Sequence, residues 1–157
     1  MILDKRLEFC DATALNTGAA GSYLIGDVVD TGGGLPLTDG VNDVDGLYLV
    51  LNVDTTATSG GSATGQFHLC SDAQAAIATD LSATYHFSTA AIPVATLVAG
   101  YYVCKVELPK GTYERYLGIL QTTAVAAFTA GKVNAFLTND PYTVKAFPNA
   151  TGDSISL

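Results

Sequence analysis

The chain has 157 residues, of which 48% are hydrophobic and only 14% are charged, and its formal net charge is −8. This length fits one domain with a substantial core, because a domain of about 150 residues buries roughly 70% of the surface that its unfolded chain exposes. The acidic balance and the scattered basic residues argue against binding to nucleic-acid phosphates. So few charged residues leave little charge for the surface, and we expect a partner to cover part of that surface.

The N-terminal segment lacks the pattern of a secretory signal, since MILDKRLEFCD places charges where an apolar core is needed. No run of about 18 apolar residues is available to span a membrane, so we expect no membrane contact. The three cysteines, Cys10, Cys70 and Cys104, are an odd and sparse set for a disulfide framework. They suit reduced thiols in a cytosol.

Residues 1–16 interleave apolar and charged side chains. They form either a first edge strand of the main domain or an arm that docks on another subunit. We expect residues 17–140 to form the main domain. Pro141 and Pro148 break regular structure after it, so residues 141–157 are expected to be a C-terminal tail.

Seven further segments have the composition of short β-strands, some with a two-residue period and one, 47–53, nearly all apolar. They are 23–29, 47–53, 66–71, 84–87, 101–108, 115–122 and 132–138. With residues 1–16 they predict an all-β, jelly-roll-like antiparallel sandwich of about eight short strands. The polar link 55–65 is predicted to be a flexible hairpin tip. The Ala-rich segment 72–83 is too short and too weakly patterned to predict more than one helical turn.

The segment 101–108 shows the alternation most clearly, and it separates a core face from an outward face. The predicted core set is Tyr102, Cys104, Val106 and Leu108, and the outward set is Tyr101, Val103, Lys105 and Glu107. Exposed aromatic residues beside Arg are typical of protein interfaces. Tyr101, Val103, Tyr113 and Arg115 are therefore candidate contacts, unless a second sheet or a loop covers them.

Three patterns suggest chemistry but do not complete a motif. The acidic loop 39–46 resembles a calcium loop, yet Val41 stands at the first EF-hand ligand position and Asn52 where the bidentate Glu belongs. His68 and Cys70 share one strand face, but with His86 alone they are too few for a zinc site. Segment 60–64 lacks the spacing of a nucleophile elbow, and segment 32–34 lacks the spacing of a phosphate-binding loop. We expect no catalytic residue, no metal and no cofactor.

Three blocks of sequence carry a resemblance to a known family. They are LEFCDATALNTGAAGSYLIGDVVD at 7–30, SDAQAAIATDLSATYHFSTAAIPVATLVAG at 71–100 and LPKGTYERYLGILQTTAVAAFTAGKVNAFLT at 108–138. Together they resemble the capsid cement (decoration) proteins of short-tailed bacteriophages of the Bordetella-phage type. The likeness covers roughly residues 1–138 and is expected to be weakest in the acidic loop 30–46.

The resemblance implies a jelly-roll fold and a non-enzymatic role on the outer surface of a virion. A protein of this kind is made in the host bacterial cytoplasm, binds the outside of an HK97-like capsid and clamps neighbouring major capsid subunits. The implied partners are the major capsid protein and a second copy in a homodimer, with no nucleic acid and no membrane. The candidate contact residues are Leu3, Arg6, Leu7 and Phe9 in the N-terminal arm, and Tyr101, Val103, Tyr113 and Arg115 in the main domain.

Two other functions stay open from the residues alone. A β-sandwich binding module would recognise carbohydrate, or calcium at the 39–46 loop, and stoichiometric bound sugar or metal would favour it. An enzyme of cupin-like fold would need a His-rich barrel interior, which two histidines on separate strands do not supply.

Overall fold

The computed structural model describes residues 5–32, 47–109 and 111–141. The strands in these ranges are β1 (Glu8–Ala14), β2 (Gly21–Asp30), β3 (Tyr48–Ser59), β4 (Thr64–Asp72), β5 (Thr84–Ser88), β6 (Ile92–Pro93), β7 (Tyr102–Glu107), β8 (Tyr116–Ala124) and β9 (Phe128–Thr138). Short 3₁₀ turns lie at Lys5–Leu7 and Val94–Thr96. Within the described ranges, no helix is long and apolar enough to cross a bilayer.

The strands form two antiparallel sheets. Sheet A has the order β1-β9-β3-β7, and sheet B has the order β2-β8-β4-β5, with β6 paired to β4. With the two-residue β6 left aside, the chain crosses from one sheet to the other at every connection except the one between β4 and β5, which are neighbours in sheet B, and this is the order of a jelly roll. The prediction of an all-β antiparallel sandwich is confirmed.

The main core lies between the two sheets because alternate side chains of each strand point inward. Leu49 and Leu51 of β3 meet Phe67 and Leu69 of β4 there, and all four are almost fully buried. Two smaller apolar clusters lie on the outer faces of the sheets. The cluster on sheet B contains Cys70, Ile77, Ala83 and Leu120, and the cluster on sheet A contains Val50 and Phe136 with Tyr102 packed against them.

In the Ala-rich segment 72–83, Asp72 ends β4 and residues 73–83 form bends and no helix. Its Ile77 is buried over the outer face of sheet B. Gly118 of β8 permits this close approach, because a Cβ added there would lie 2.5 Å from Ile77 Cδ1. The segment is therefore a cover for one sheet.

The prediction of a hairpin tip over 55–65 is wrong, because β3 and β4 belong to different sheets and both strands extend into this segment. β3 continues to Ser59 and β4 begins at Thr64, so only residues 60–63 form the connection. The polar half of β3 stays extended because it pairs with β9, where Thr58 lies opposite Ala130 and Ser59 opposite Phe128. The hydroxyls of Thr58 and Thr129 are 2.8 Å apart across this pair.

Residues 5–16, the described part of the predicted N-terminal segment, belong to the sandwich. β1 is an edge strand of sheet A and pairs with β9, with Glu8 opposite Phe136 and Ala14 opposite Lys132. Residues 1–4, including Leu3, lie outside the described residues, as do the acidic loop 39–46 and residues 142–157 of the predicted tail.

Candidate interaction surface

Two of the predicted contact residues lie in the core. Phe9 and Tyr113 are each 1% exposed. Phe9 is buried in the main core together with its neighbour Cys10, at a register shift of the β1–β9 pair between Glu8 and Cys10. Tyr113 donates a hydrogen bond from its hydroxyl to Pro109 O at 2.6 Å. Both are therefore internal contacts of this chain rather than the surface contacts that the sequence predicted.

Tyr101 and Val103 do not lie on the outward face either. Both are half-buried and pack against the main core. The reason is a shift of register in the β3–β7 pair, where Leu51 lies opposite Cys104 but Asn52 lies opposite Tyr102. Such a bulge reverses the side chains that precede it.

The same bulge moves Tyr102, predicted for the core, to the outer face of sheet A. Its ring packs against Val50 and Phe136. The ammonium of Lys105 lies 3.6 Å from the centre of this ring, a cation–π contact. Cys104 and Val106 keep their predicted places against the main core, as does Leu108.

Arg115 and Arg6 are the predicted contact residues that are exposed, while Leu7 is half-buried against the core. Arg115 makes two parallel hydrogen bonds of 2.9 Å to the carboxylate of Asp30. These bonds, with a third from Gly32 N–H, lower the pKa of Asp30 to about 2. Arg115 is thus engaged within the chain, and Arg6 lines an open groove beside Asp27 and Asp30.

Ser71, His86 and Glu114 form a polar cluster that the sequence analysis missed. Ser71 Oγ lies 2.8 Å from His86 Nε2, donates to Glu114 Oε2 at 3.1 Å and accepts from Glu114 N–H at 3.2 Å. Because the one hydroxyl proton goes to the carboxylate, His86 donates from Nε2. In a catalytic triad the carboxylate accepts a hydrogen bond from Nδ1 of the His, whereas here the carboxylate of Glu114 accepts from the hydroxyl of Ser71. These three residues, distant in sequence, give no local signal.

His68 lies in a polar row on the outer face of sheet B. Its Nδ1 is 2.7 Å from Ser88 Oγ and its Nε2 is 3.1 Å from Thr122 Oγ1, which in turn lies 2.7 Å from Ser22 Oγ. Cys70 shares the face of His68 as predicted, but burial raises the pKa of its thiol to about 12. No cluster of three or more His, Cys, Asp or Glu side chains suited to a metal occurs in the described ranges.

One end of the sandwich is built from four connections without a charged side chain. We call it the uncharged end and define it as residues 15–20, 60–63, 89–101 and 125–127. Backbone hydrogen bonds hold these connections beside one another or against nearby strands. They join Leu15 N to Gly131 O, Val94 N to Ala63 O and Ala57 N to Leu97 O.

The uncharged end exposes small and apolar side chains. Val125 is 76% exposed and Val98 is 46% exposed. The opposite end carries charged groups, among them Asp72, Asp80 and the Asp30–Arg115 ion pair. Charge is thus segregated along the long axis of the sandwich.

This segregation has a signal in the sequence. Four long runs, 12–26, 55–71, 81–104 and 116–131, contain no Asp, Glu, Lys or Arg. Each run includes one of the four connections. The jelly-roll topology brings alternate connections to one end of the sandwich, so the four runs meet there.

A family model described as Bbp16 matches residues 9–137 of this chain. The match spans the sandwich from β1 to β9. The chain belongs to the Bbp16 family. This membership is consistent with a Bordetella phage protein. It agrees with the phage origin that the resemblance implied. No curated protein matches the chain.

Proposed function

We propose that this Bbp16-family protein is a virion structural protein that cements the outside of an HK97-like capsid by clamping neighbouring major capsid subunits. The observation that carries the proposal is the segregation of charge. A surface in water normally mixes charged groups throughout, and a contiguous patch without charge marks an interaction site. We assign the uncharged end to the shell and the charged end to the outside of the particle.

The uncharged end has the chemistry that broad protein contact needs. Small side chains such as Ala90, Ala91 and Ala99 let two backbones approach closely, and no charge has to be removed from water. An acidic outer end keeps decorated particles apart by like-charge repulsion.

A clamp gains strength from engaging two subunits at once. Once one contact forms, the second contact forms at a high effective concentration. Two contacts that are weak individually can therefore jointly resist the pressure of packaged DNA. The N-terminal segment leaves the sandwich at the charged end, where Glu8 pairs with Phe136. We assign residues 1–6, with Leu3 and Arg6, to a second contact, on a neighbouring copy of this protein bound to the shell, while Leu7 stays packed against the core of its own chain.

Co-sedimentation of the purified protein with undecorated capsids of its own phage tests the function. We expect saturation near one copy per major capsid subunit and no binding to isolated subunits. Absence of binding to assembled capsids would reject the cement function.

Two matched variants test the surface. Val125→Asp adds a charge to the uncharged end, and Leu81→Asp adds the same charge elsewhere. Both residues are 76% exposed, and both have a positive φ, 69° and 75°, which Asp tolerates better than Val or Leu. We expect Val125→Asp to weaken capsid binding by about tenfold or more and Leu81→Asp to leave it unchanged. Equal binding by the two variants would show that the uncharged end does not face the shell.

A further inference from the structure

Val125 has a backbone conformation that is unfavourable for its side chain. It lies in the connection between β8 and β9 with a φ of 69°, and Ala126 N–H donates to Ala124 O across it at 2.9 Å. This is the rare, strained form of the γ-turn, in which the middle residue has a positive φ. A β-branched residue is an outlier at positive φ, because its Cβ crowds the neighbouring carbonyl group. Glycine would therefore fit this position better than the valine that the chain carries.

Contacts with both sheets hold the turn in this conformation. Ala124 is paired with Thr64 of β4 on one side of the turn. On the other side, the hydroxyl of Ser59 in β3 donates to Ala127 O at 2.7 Å. Strained conformations persist where the surrounding structure over-determines them. Val125 thus cannot relax its backbone without the loss of these contacts.

The side chain of Val125 projects from a surface of small residues. It is 76% exposed, and the residues beside it in the connection 125–127 are alanines. The connection 60–63 contains only Gly, Ser and Ala, and it lies close by, since a Cβ added to Gly61 would be 2.9 Å from Ala126 Cβ. Val125 is the largest side chain of these two connections. It therefore forms an apolar knob on the uncharged end.

Neither the backbone nor the solvent favours a valine at this position, so its advantage lies outside the free protein. Leu81 is equally exposed, at 76%, and has a φ of 75°, but Asp80 and Ser82 flank it. A single apolar side chain among polar ones is ordinary on a protein surface. An aliphatic side chain that projects from a contiguous uncharged surface instead has the form of an interface anchor that fills a pocket.

We propose that the knob, Val125, inserts into an apolar socket on a major capsid subunit. The small residues around the knob let the two surfaces meet closely. Burial of the isopropyl group removes apolar area from water, and this gain offsets the strain that the free protein carries. The socket rests on the cement function, because a capsid subunit supplies it.

Two substitutions test the knob in a co-sedimentation titration with undecorated capsids. Val125→Thr keeps the branched shape but places a hydroxyl in the socket, so we expect capsid binding to weaken by about tenfold. Val125→Gly removes the side chain and relieves the turn. We expect it to weaken binding by about tenfold or more, while its melting temperature stays at or above that of the wild type.

Leu81→Gly is the matched control, because Leu81 has the same exposed fraction and also a positive φ. It should bind capsids like the wild type and should not melt at a lower temperature. If either variant at position 125 saturates capsids at the wild-type concentration, the knob is overturned while the cement function stands. A lower melting temperature of Val125→Gly would show that this side chain serves the fold, which also overturns the knob. A wild type that does not bind assembled capsids would reject the cement function and the socket together.

Discussion

The imidazole of His86 stacks on the ring of Tyr113, with centroids 3.8 Å apart and an angle of 17° between the planes. His86 belongs to β5, and Tyr113 belongs to the connection between β7 and β8. The contact therefore ties this connection to sheet B, while the Tyr113 hydroxyl binds Pro109 O within it. It also explains why a tyrosine in a polar, turn-like segment is buried.

Two substitutions at Tyr113 should separate the contributions of its ring and of its hydroxyl to the free energy of unfolding. Tyr113→Ala removes the stacked ring from the core and should lower the free energy of unfolding by about 3–5 kcal/mol. Tyr113→Phe keeps the ring and leaves Pro109 O without its donor, which should cost about 1 kcal/mol. Urea unfolding of both variants measures the two values. Wild-type stability in Tyr113→Ala would mean that this ring lies in solvent.

The two histidines, His68 buried and His86 half-buried, predict that the protein loses stability in acid. Burial lowers the pKa of His86 below 6.5, with Glu114 opposing this in part, and burial also lowers the pKa of His68. The unfolded chain then binds more protons than the folded one. The stability that the neutral histidines contribute is therefore fully present above pH 6.5 and is lost as the pH falls below that value.

Thermal unfolding between pH 7.5 and 5.5 measures this effect. We expect the melting temperature to fall with pH in the wild type. The slope should be shallower in His86→Gln, whose amide still donates to Ser71, and shallower again when His68→Gln is added. If the double variant keeps the full slope, other groups cause the acid sensitivity.

Gly26 should tolerate no side chain. Its φ is +72°, and a Cβ at this position would overlap the backbone oxygen of Phe9. Gly26→Ala should therefore lower the free energy of unfolding by at least about 1–3 kcal/mol. Gly60 is the control, since a Cβ there meets nothing within 4 Å. Gly60→Ala should stay within about 0.5 kcal/mol of the wild type in the same urea titration. Similar stabilities for both variants would contradict the close packing of β1 on β2.

Two truncations separate the N-terminal segment from the sandwich. Removing residues 1–6 leaves β1 intact and keeps Leu7 against the core, so circular dichroism should show a folded protein with a cooperative transition. Removing residues 1–11 also deletes Phe9 and Cys10 from the core and should abolish that transition. Reduced capsid binding by the shorter truncation would support the second contact. Unchanged saturation of capsids would remove residues 1–6 from the proposed interface.

The sequence by itself determined the fold class and most strand faces. The alternation at 132–138 correctly predicts Val133, Ala135 and Leu137 in the core, and His68 and Cys70 do share an outer face. These predictions succeed because a two-residue period with one apolar face is a local property of an extended chain. The four runs without charge are likewise visible in the sequence.

Only the tertiary structure decided where the pattern breaks and what comes together. The bulge that turns Tyr102 outward and Val103 inward depends on the register with β3, and the polar half of β3 is extended because β9 pairs with it. The burial of Tyr113 depends on His86, 27 positions away in the sequence. Hydrogen-bond register and packing are set by partner strands distant in sequence. The uncharged end therefore exists only in the folded chain.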